Sequence, residues 1–128
     1  MKKDQLIYRI STGLLVVLML FSAYSYFTSA DIKGAFAHLG FPDYFRVQLG
    51  VAKAIGAVLL VIPVVPAKVK EFVYAGFGIT FISAFIAHMA SGDPASVAVP
   101  PLVFAVVLTV SYVYFHKLNK RSITNPAL

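Results

Sequence analysis

A lysine, Lys53, stands about nine residues inside an otherwise apolar stretch of the chain, residues 44–63. At about 1.5 Å of helix rise per residue, it lies roughly 13 Å from the nearer end of that stretch. A lysine at such depth in a bilayer costs roughly 2.5–3.5 kcal/mol on insertion scales, which makes it a functional candidate by default. The plainer alternative is a side chain that snorkels back to the headgroups. Spacing favours an inward face. Arg46, Gly50, Lys53 and Ala57 fall at i, i+4, i+7 and i+11, one helical stripe of two cations and two small residues. The following apolar stretch carries its own stripe: Gly76, Thr80, Ser83, Ala84, Ala87, His88 and Ser91. Small residues let helices approach closely in lipid. The tightest hairpin is therefore expected between these two stretches, through Gly50, Gly56, Gly76, Thr80 and Ala84. The default partners of Thr80 and Ser83 are their own helix carbonyls. His88 differs, because it lies one turn from the end of its stretch.

Antiparallel packing brings Ser83 level with Lys53, and His88 close to the level of Arg46. In the first apolar stretch, Met19, Ser22 and Tyr26 share a face in the same half. The expectation is a pocket lined by Ser22, Tyr26, Arg46, Lys53, Ser83 and His88. The Lys53 amine should face the bundle interior, within reach of Ser83 or of a bound polar group. No Asp or Glu lies inside any apolar stretch. An acidic proton relay of the usual transporter kind therefore has no internal carboxylate. Lys53 must be met by Asp31, Asp43 or Asp93 folding in, stay neutral, or meet an anion. A carboxylate, a sulfur oxyanion, a lipid phosphate or a quinone carbonyl would each suit the cluster.

Other chemistries are poorly served. The chain has no cysteine, which excludes disulfide exchange, thiolate nucleophiles and cysteine-ligated clusters. His38, His88 and His116 are far apart in sequence. Two of them and Asp93 could approach one another at one end, but nothing in the spacing requires it, so no metal site is expected. Phosphate loops, nucleophile elbows and haem attachment sequences are missing.

The elements that must position these residues are four apolar stretches, at about 6–27, 44–63, 72–90 and 97–115. Each approaches the roughly 20 residues needed to cross a bilayer. With 128 residues, 59% of them hydrophobic and 12% charged, the chain reads as an all-α polytopic membrane four-helix bundle, a single transmembrane domain over residues 1–128. The opening "MKK" and its apolar run resemble a signal peptide, but the run is too long for one and reads as the first span. A net charge of +6 raises nucleic acid, yet the basic residues form no groove-facing patch. Lys2, Lys3, Arg9, Lys68, Lys70, Lys117, Lys120 and Arg121 share one side of a four-span chain. Only Lys33 and Arg46 fall on the other, beside Asp31, Asp43 and Asp93. The positive-inside rule then puts both termini in the cytoplasm of a cell-membrane protein. All seven tyrosines fall at span ends, where an apolar ring with a polar hydroxyl is favoured.

The connections are informative too. In the first, Ser29 is a plausible N-cap, and Ile32, Ala35, Phe36 and Leu39 recur at helical spacing before Gly40 and Pro42. This predicts a short amphipathic interfacial helix between the first and second spans. In the third, Asp93 is placed to cap a helix opening at Pro94, and Pro100-Pro101 predicts a kink or short pre-helix. The tail after Lys120 is polar and reads as mobile.

The segment from Gly40 to Asp93 carries a family likeness. It holds "FP-x-Y" at Phe41–Tyr44, a Gly-x-x-Lys-x-x-Gly run at Gly50, Lys53 and Gly56, an aromatic–Ala–Gly–Phe turn at Tyr74–Phe77, and "AH…SGD" from Ala87 to Asp93. In these it resembles the DoxX-like family of small four-helix membrane proteins. The match covers the two middle spans well; the outer two agree in hydropathy and position. The resemblance implies a four-helix membrane bundle. It also implies a link to membrane redox chemistry, since the family's name comes from a subunit associated with thiosulfate:quinone oxidoreductase.

The expected function is therefore a small membrane protein that binds a quinone, lipid or small anion in an outward-facing pocket, as accessory subunit of a membrane redox or stress-response complex. Alternatives are a ligand-free assembly factor or a small transporter or channel subunit. A stand-alone enzyme is not expected; if enzymatic, the chain would be a quinone-linked oxidoreductase subunit. It carries no intrinsic cofactor, and a quinone is the one it would borrow. Its expected partners are the lipid bilayer, a membrane or redox protein and further copies of itself, with no nucleic acid.

Overall fold

The computed structural model describes residues 2–124, with side chains through Lys120. Among the described residues six helices follow in order: α1 (Lys2–Thr28), α2 (Ala30–His38), α3 (Asp43–Val61), α4 (Ala67–Ala90), α5 (Ala95–Ala98) and α6 (Pro100–Thr124). Four apolar segments are long enough to cross a membrane, namely α1, α3, α4 and the α5–α6 run. Both ends of the described chain and the α3–α4 connection lie at one end of the bundle, here the termini end. Helices α2 and α5 lie at the other, the α2 end. The first four residues of the expected mobile tail continue α6 to Thr124, and the rest lies outside the described residues.

The four long helices form a ring. Helix α1 packs against α3 on one side and α6 on the other, and α4 packs against α6. Helices α3 and α4 close the ring only loosely. The expected tightest hairpin is therefore not the α3–α4 pair. Two glycines explain why. Gly50 faces α1, where a Cβ would meet the Phe27 ring at 3.0 Å. Gly56 does face α4, but its missing Cβ is replaced by the Phe77 ring, 2.9 Å from where it would stand. Gly76 has no heavy atom within 4 Å of a built Cβ. The small residues of the α3–α4 seam thus make room without bringing the two backbones together.

The core is built from Leu15, Val16 and Met19 of α1, Ala57 and Leu60 of α3, Tyr74, Phe77 and Phe81 of α4, and Leu108 and Phe115 of α6. A polar group is sealed inside it. Ser111, fully buried, pairs with Thr12 at 2.6 Å and with the Tyr74 hydroxyl at 2.7 Å. Those bonds tie α1, α4 and α6 where hydrocarbon offers no alternative partner.

Two turns set the α2 end, and each needs glycine. Gly40 at φ +84° and Gly92 at φ +75° follow the ends of α2 and α4, a left-handed conformation that side chains disfavour. After α2, the N–H groups of Gly40 and Phe41 donate to the carbonyls of Ala37 and Phe36 at 3.1 and 3.0 Å. After α4, those of Gly92 and Asp93 donate to Met89 and His88 at 3.2 and 3.0 Å. Both are Schellman endings. Ser29 caps α2 as expected, accepting from the Ile32 N–H at 3.3 Å. The Pro-Pro pair opens α6 immediately after the short α5.

Candidate functional site

Lys53 is 6% exposed. The stripe Gly50, Lys53, Gly56, Ala57 and Leu60 is the buried face of α3, and Lys53 reaches from it to α1. Its Nζ donates to Tyr26 Oη at 2.6 Å and to Ser22 Oγ at 3.0 Å. The same ammonium sits 4.2 Å from the centroid of the Tyr26 ring, close enough for a cation–π attraction. Ser22 and Tyr26 are one turn apart on α1, so a single face supplies both acceptors. Among the described residues no carboxylate pairs with Lys53. Two neutral hydroxyls meet the amine, and none of Asp31, Asp43 and Asp93 does. Ser83 also does not reach it: Lys53 turns to α1, while Ser83 stands exposed on α4.

Arg46 does a separate job. Its Nε and Nη2 donate to the Asp43 carboxylate at 3.0 and 3.2 Å, and Nη1 donates to the Tyr26 carbonyl. That carbonyl lies in the last turn of α1, where carbonyls lack helical partners and a cation is favoured. Arg46 pins the end of α1 on the start of α3. It thereby holds the Tyr26 backbone while Lys53 holds the Tyr26 hydroxyl.

Two cavities lie beside this pair. The first, about 490 Å³, lies beneath α2. Ile32, Ala35, Phe36 and Leu39, the face expected from sequence, line it from α2, with Ser83 and His88 across from them on α4. Its aromatic roof is a cluster: Phe36 packs edge-on against Tyr26 at 5.1 Å, and Phe41 stacks on Phe45 at 5.0 Å. The second, about 450 Å³, is the open cleft between α3 and α4, lined by Lys53, Gly56, Gly76 and Phe77 among others. Both cavities include Leu49 and Thr80. Tyr26 belongs to the first, Lys53 to the second, and their 2.6 Å hydrogen bond joins the two. Thr80 spends its hydroxyl on the Gly76 carbonyl at 2.8 Å, as expected.

A second polar cluster stands at the α2 end. Asp93 does not cap α5. One carboxylate oxygen takes His38 Nε2 at 2.7 Å, the other takes His88 Nδ1 at 2.7 Å. Hydrogen bonds from His88 first, and from His38 second, hold the Asp93 carboxyl below its ordinary value. The Schellman turn brings Asp93 back over His88. The sequence allowed two histidines to approach Asp93 without requiring it; the turn supplies the contact with His88, and the packing of α2 supplies the contact with His38. Each imidazole occupies its own oxygen, and no group of three such side chains among the described residues is arranged to hold a metal ion.

Of the six expected site residues, Ser22, Tyr26 and Lys53 touch one another. Tyr26, Ser83 and His88 share a cavity wall. Arg46 joins through the Tyr26 backbone and does not line the cavity. The sequence profile of the DoxX-like family matches residues 10–110, most of the chain. The protein belongs to the DoxX-like family. No curated protein and no solved structure matches the chain. The matched region takes in the DoxX-like protein's Lys53, Tyr26 and Ser22, both cavity walls and the Asp93 cluster. What the sequence did not show is that Phe36, Phe41 and Phe45 gather into a roof and that Thr12, Ser111 and Tyr74 form one group. Both are built from ordinary membrane-helix residue types, so type alone carried no signal.

Proposed function

We propose that this protein binds a membrane-soluble ligand with an oxygen-bearing head, a quinone or a lipid, in the cavity beneath α2, and serves as an accessory subunit of a membrane redox complex. The observation that carries the reading is the Lys53–Tyr26 pair at the junction of two apolar cavities. A buried lysine met by two neutral hydroxyls and no carboxylate leaves a donor for an acceptor oxygen. The largely apolar cavity walls suit a quinone or lipid better than a bare small anion. The redox assignment rests on the family. We place both termini in the cytoplasm, because eight basic residues gather at that end against two at the other. The α2 cavity then opens toward the outer side.

Purification in mild detergent followed by native mass spectrometry tests this. The wild-type protein should retain a quinone or lipid, and Lys53→Met should fold yet lose it. A wild-type protein free of ligand but bound to a stoichiometric partner would favour the assembly-factor reading. Equal retention by Lys53→Met would remove Lys53 from the site.

A further inference from the structure

The cleft between α3 and α4 is the second of the two cavities beside Lys53 and Tyr26. It begins at Leu49 and Thr80, beside the floor of the α2 cavity, and continues past Lys53 and Gly56 to Leu59, Val69 and Phe72. From Leu49 to Leu59 it follows ten residues of α3, roughly 15 Å of helix axis. Its walls are almost wholly hydrocarbon, and it is open along its length, because α3 packs on α1 and α4 on α6. A cleft of about 450 Å³ in so small a bundle leaves two helices under-packed. Gly76 keeps it clear, with nothing within 4 Å of a built Cβ. Among the described residues, the one charged side chain lining it is Lys53, buried, toward the end nearer the α2 cavity. An ammonium has three donors, and two are spent on Ser22 and Tyr26.

We infer that the cleft is the tail channel of a single-chain amphiphile, whose oxygen-bearing head lies at Lys53 and Tyr26 and whose hydrocarbon chain lies along the α3–α4 seam, loaded sideways from the bilayer. The inference rests on the function proposed above and adds the ligand's class and route. The remaining donor of Lys53 selects a head with an acceptor oxygen. The cleft's length and volume suit a single hydrocarbon chain. Hydrocarbon gains nothing by moving from lipid to protein wall, so the chain supplies little affinity. Its role is selection: the cleft admits a tailed molecule already in the membrane, and Lys53 holds it. A prenyl quinone and a fatty acid share this chemistry, and the test separates them.

Purified protein is incubated with four probes and read by native mass spectrometry: a decyl-tailed benzoquinone, the same benzoquinone without its chain, dodecanoate and acetate. Gly76→Phe and Ala52→Phe each put a ring into the cleft from a different wall, at positions where neither side chain supports the core. Unchanged melting temperatures establish that both variants fold. Both should lose the tailed probe that the wild type retains, by about tenfold or more in occupancy, equivalent to about 1.4 kcal/mol. Lys53→Met should lose it as well. Retention of the quinone names a prenyl quinone as the source, and retention of dodecanoate names a fatty acid. Tailed probes binding Gly76→Phe and Ala52→Phe as they bind the wild type, while Lys53→Met loses them, would overturn the channel and leave the head site standing. A wild-type protein that retains none of the four overturns both.

Discussion

Removing one oxygen from Tyr26 tests how the buried charge is held. In Tyr26→Phe the ring stays, and with it the 4.2 Å contact with the Lys53 ammonium. Only the 2.6 Å hydrogen bond goes. A hydrogen bond to a charged group contributes about 1.5–3 kcal/mol, against about 1 kcal/mol between neutral groups. With Lys53 6% exposed, the lost acceptor lies out of contact with bulk water. Tyr26→Phe should therefore destabilise the wild type by about 1.5–3 kcal/mol. In a Lys53→Met background the hydroxyl has no charge to serve, and its removal should cost less than about 1 kcal/mol. Lys53→Met alone should be neutral or stabilising, because an insertion cost of roughly 2.5–3.5 kcal/mol disappears along with the two bonds. Reversible unfolding in mixed micelles on the four proteins measures the coupling. Additivity within about 0.5 kcal/mol would refute the pairing. A Lys53→Met protein less stable than Tyr26→Phe would show the lysine to be a structural strut, with no charge in reserve for a ligand.

Packing at the seam should be asymmetric: Gly56→Ala drives a Cβ to 2.9 Å from Phe77 and should cost about 1–3 kcal/mol, while Gly76→Ala, with open space, should be neutral or stabilise by up to about 1 kcal/mol, both read from the same unfolding assay. Ser111→Ala leaves the Thr12 and Tyr74 hydroxyls without their shared partner, and should destabilise by about 1–3 kcal/mol, where Thr109→Ala on the exposed side of α6 should not. Acid should loosen the α2 end. Because the Asp93 carboxyl is held below its ordinary 3.8 by His88 and then His38, its contribution is complete above that value and lost as pH falls through the lower folded value; Asp93→Asn should abolish this acid step in hydrogen exchange of α2, and an unchanged step would place its origin elsewhere. Single cysteines at Lys33 and Lys68, in a chain that has no other, should label from outside the cell only at Lys33, and the reverse would invert the proposed topology.

The spans and the interfacial helix were legible because each rests on a one-dimensional signal. Apolar length, a serine cap, the spacing of Ile32, Ala35, Phe36 and Leu39, and glycine before proline all act along the chain. Which helices pair was not legible, and the reason is physical. In water, an apolar stripe announces the face that must be buried. In lipid it does not, so the small stripes on α3 and α4 read equally well as a contact or as a space. Gly56 is a contact with a side chain, Gly50 a contact with a different helix, and Gly76 a space; residue type cannot separate the three. Lys53 fell between these cases. Its depth marked it as inward, and Ser22 and Tyr26 were placed on one face by their spacing. That those two hydroxyls, and no carboxylate, receive the ammonium depends on α1 being the neighbour of α3. The same fact leaves α4 stand-off from α3 and opens the cleft. The charge and the cleft are thus two consequences of one packing choice: α3 turns its lysine to α1, and in doing so leaves its other flank to the membrane.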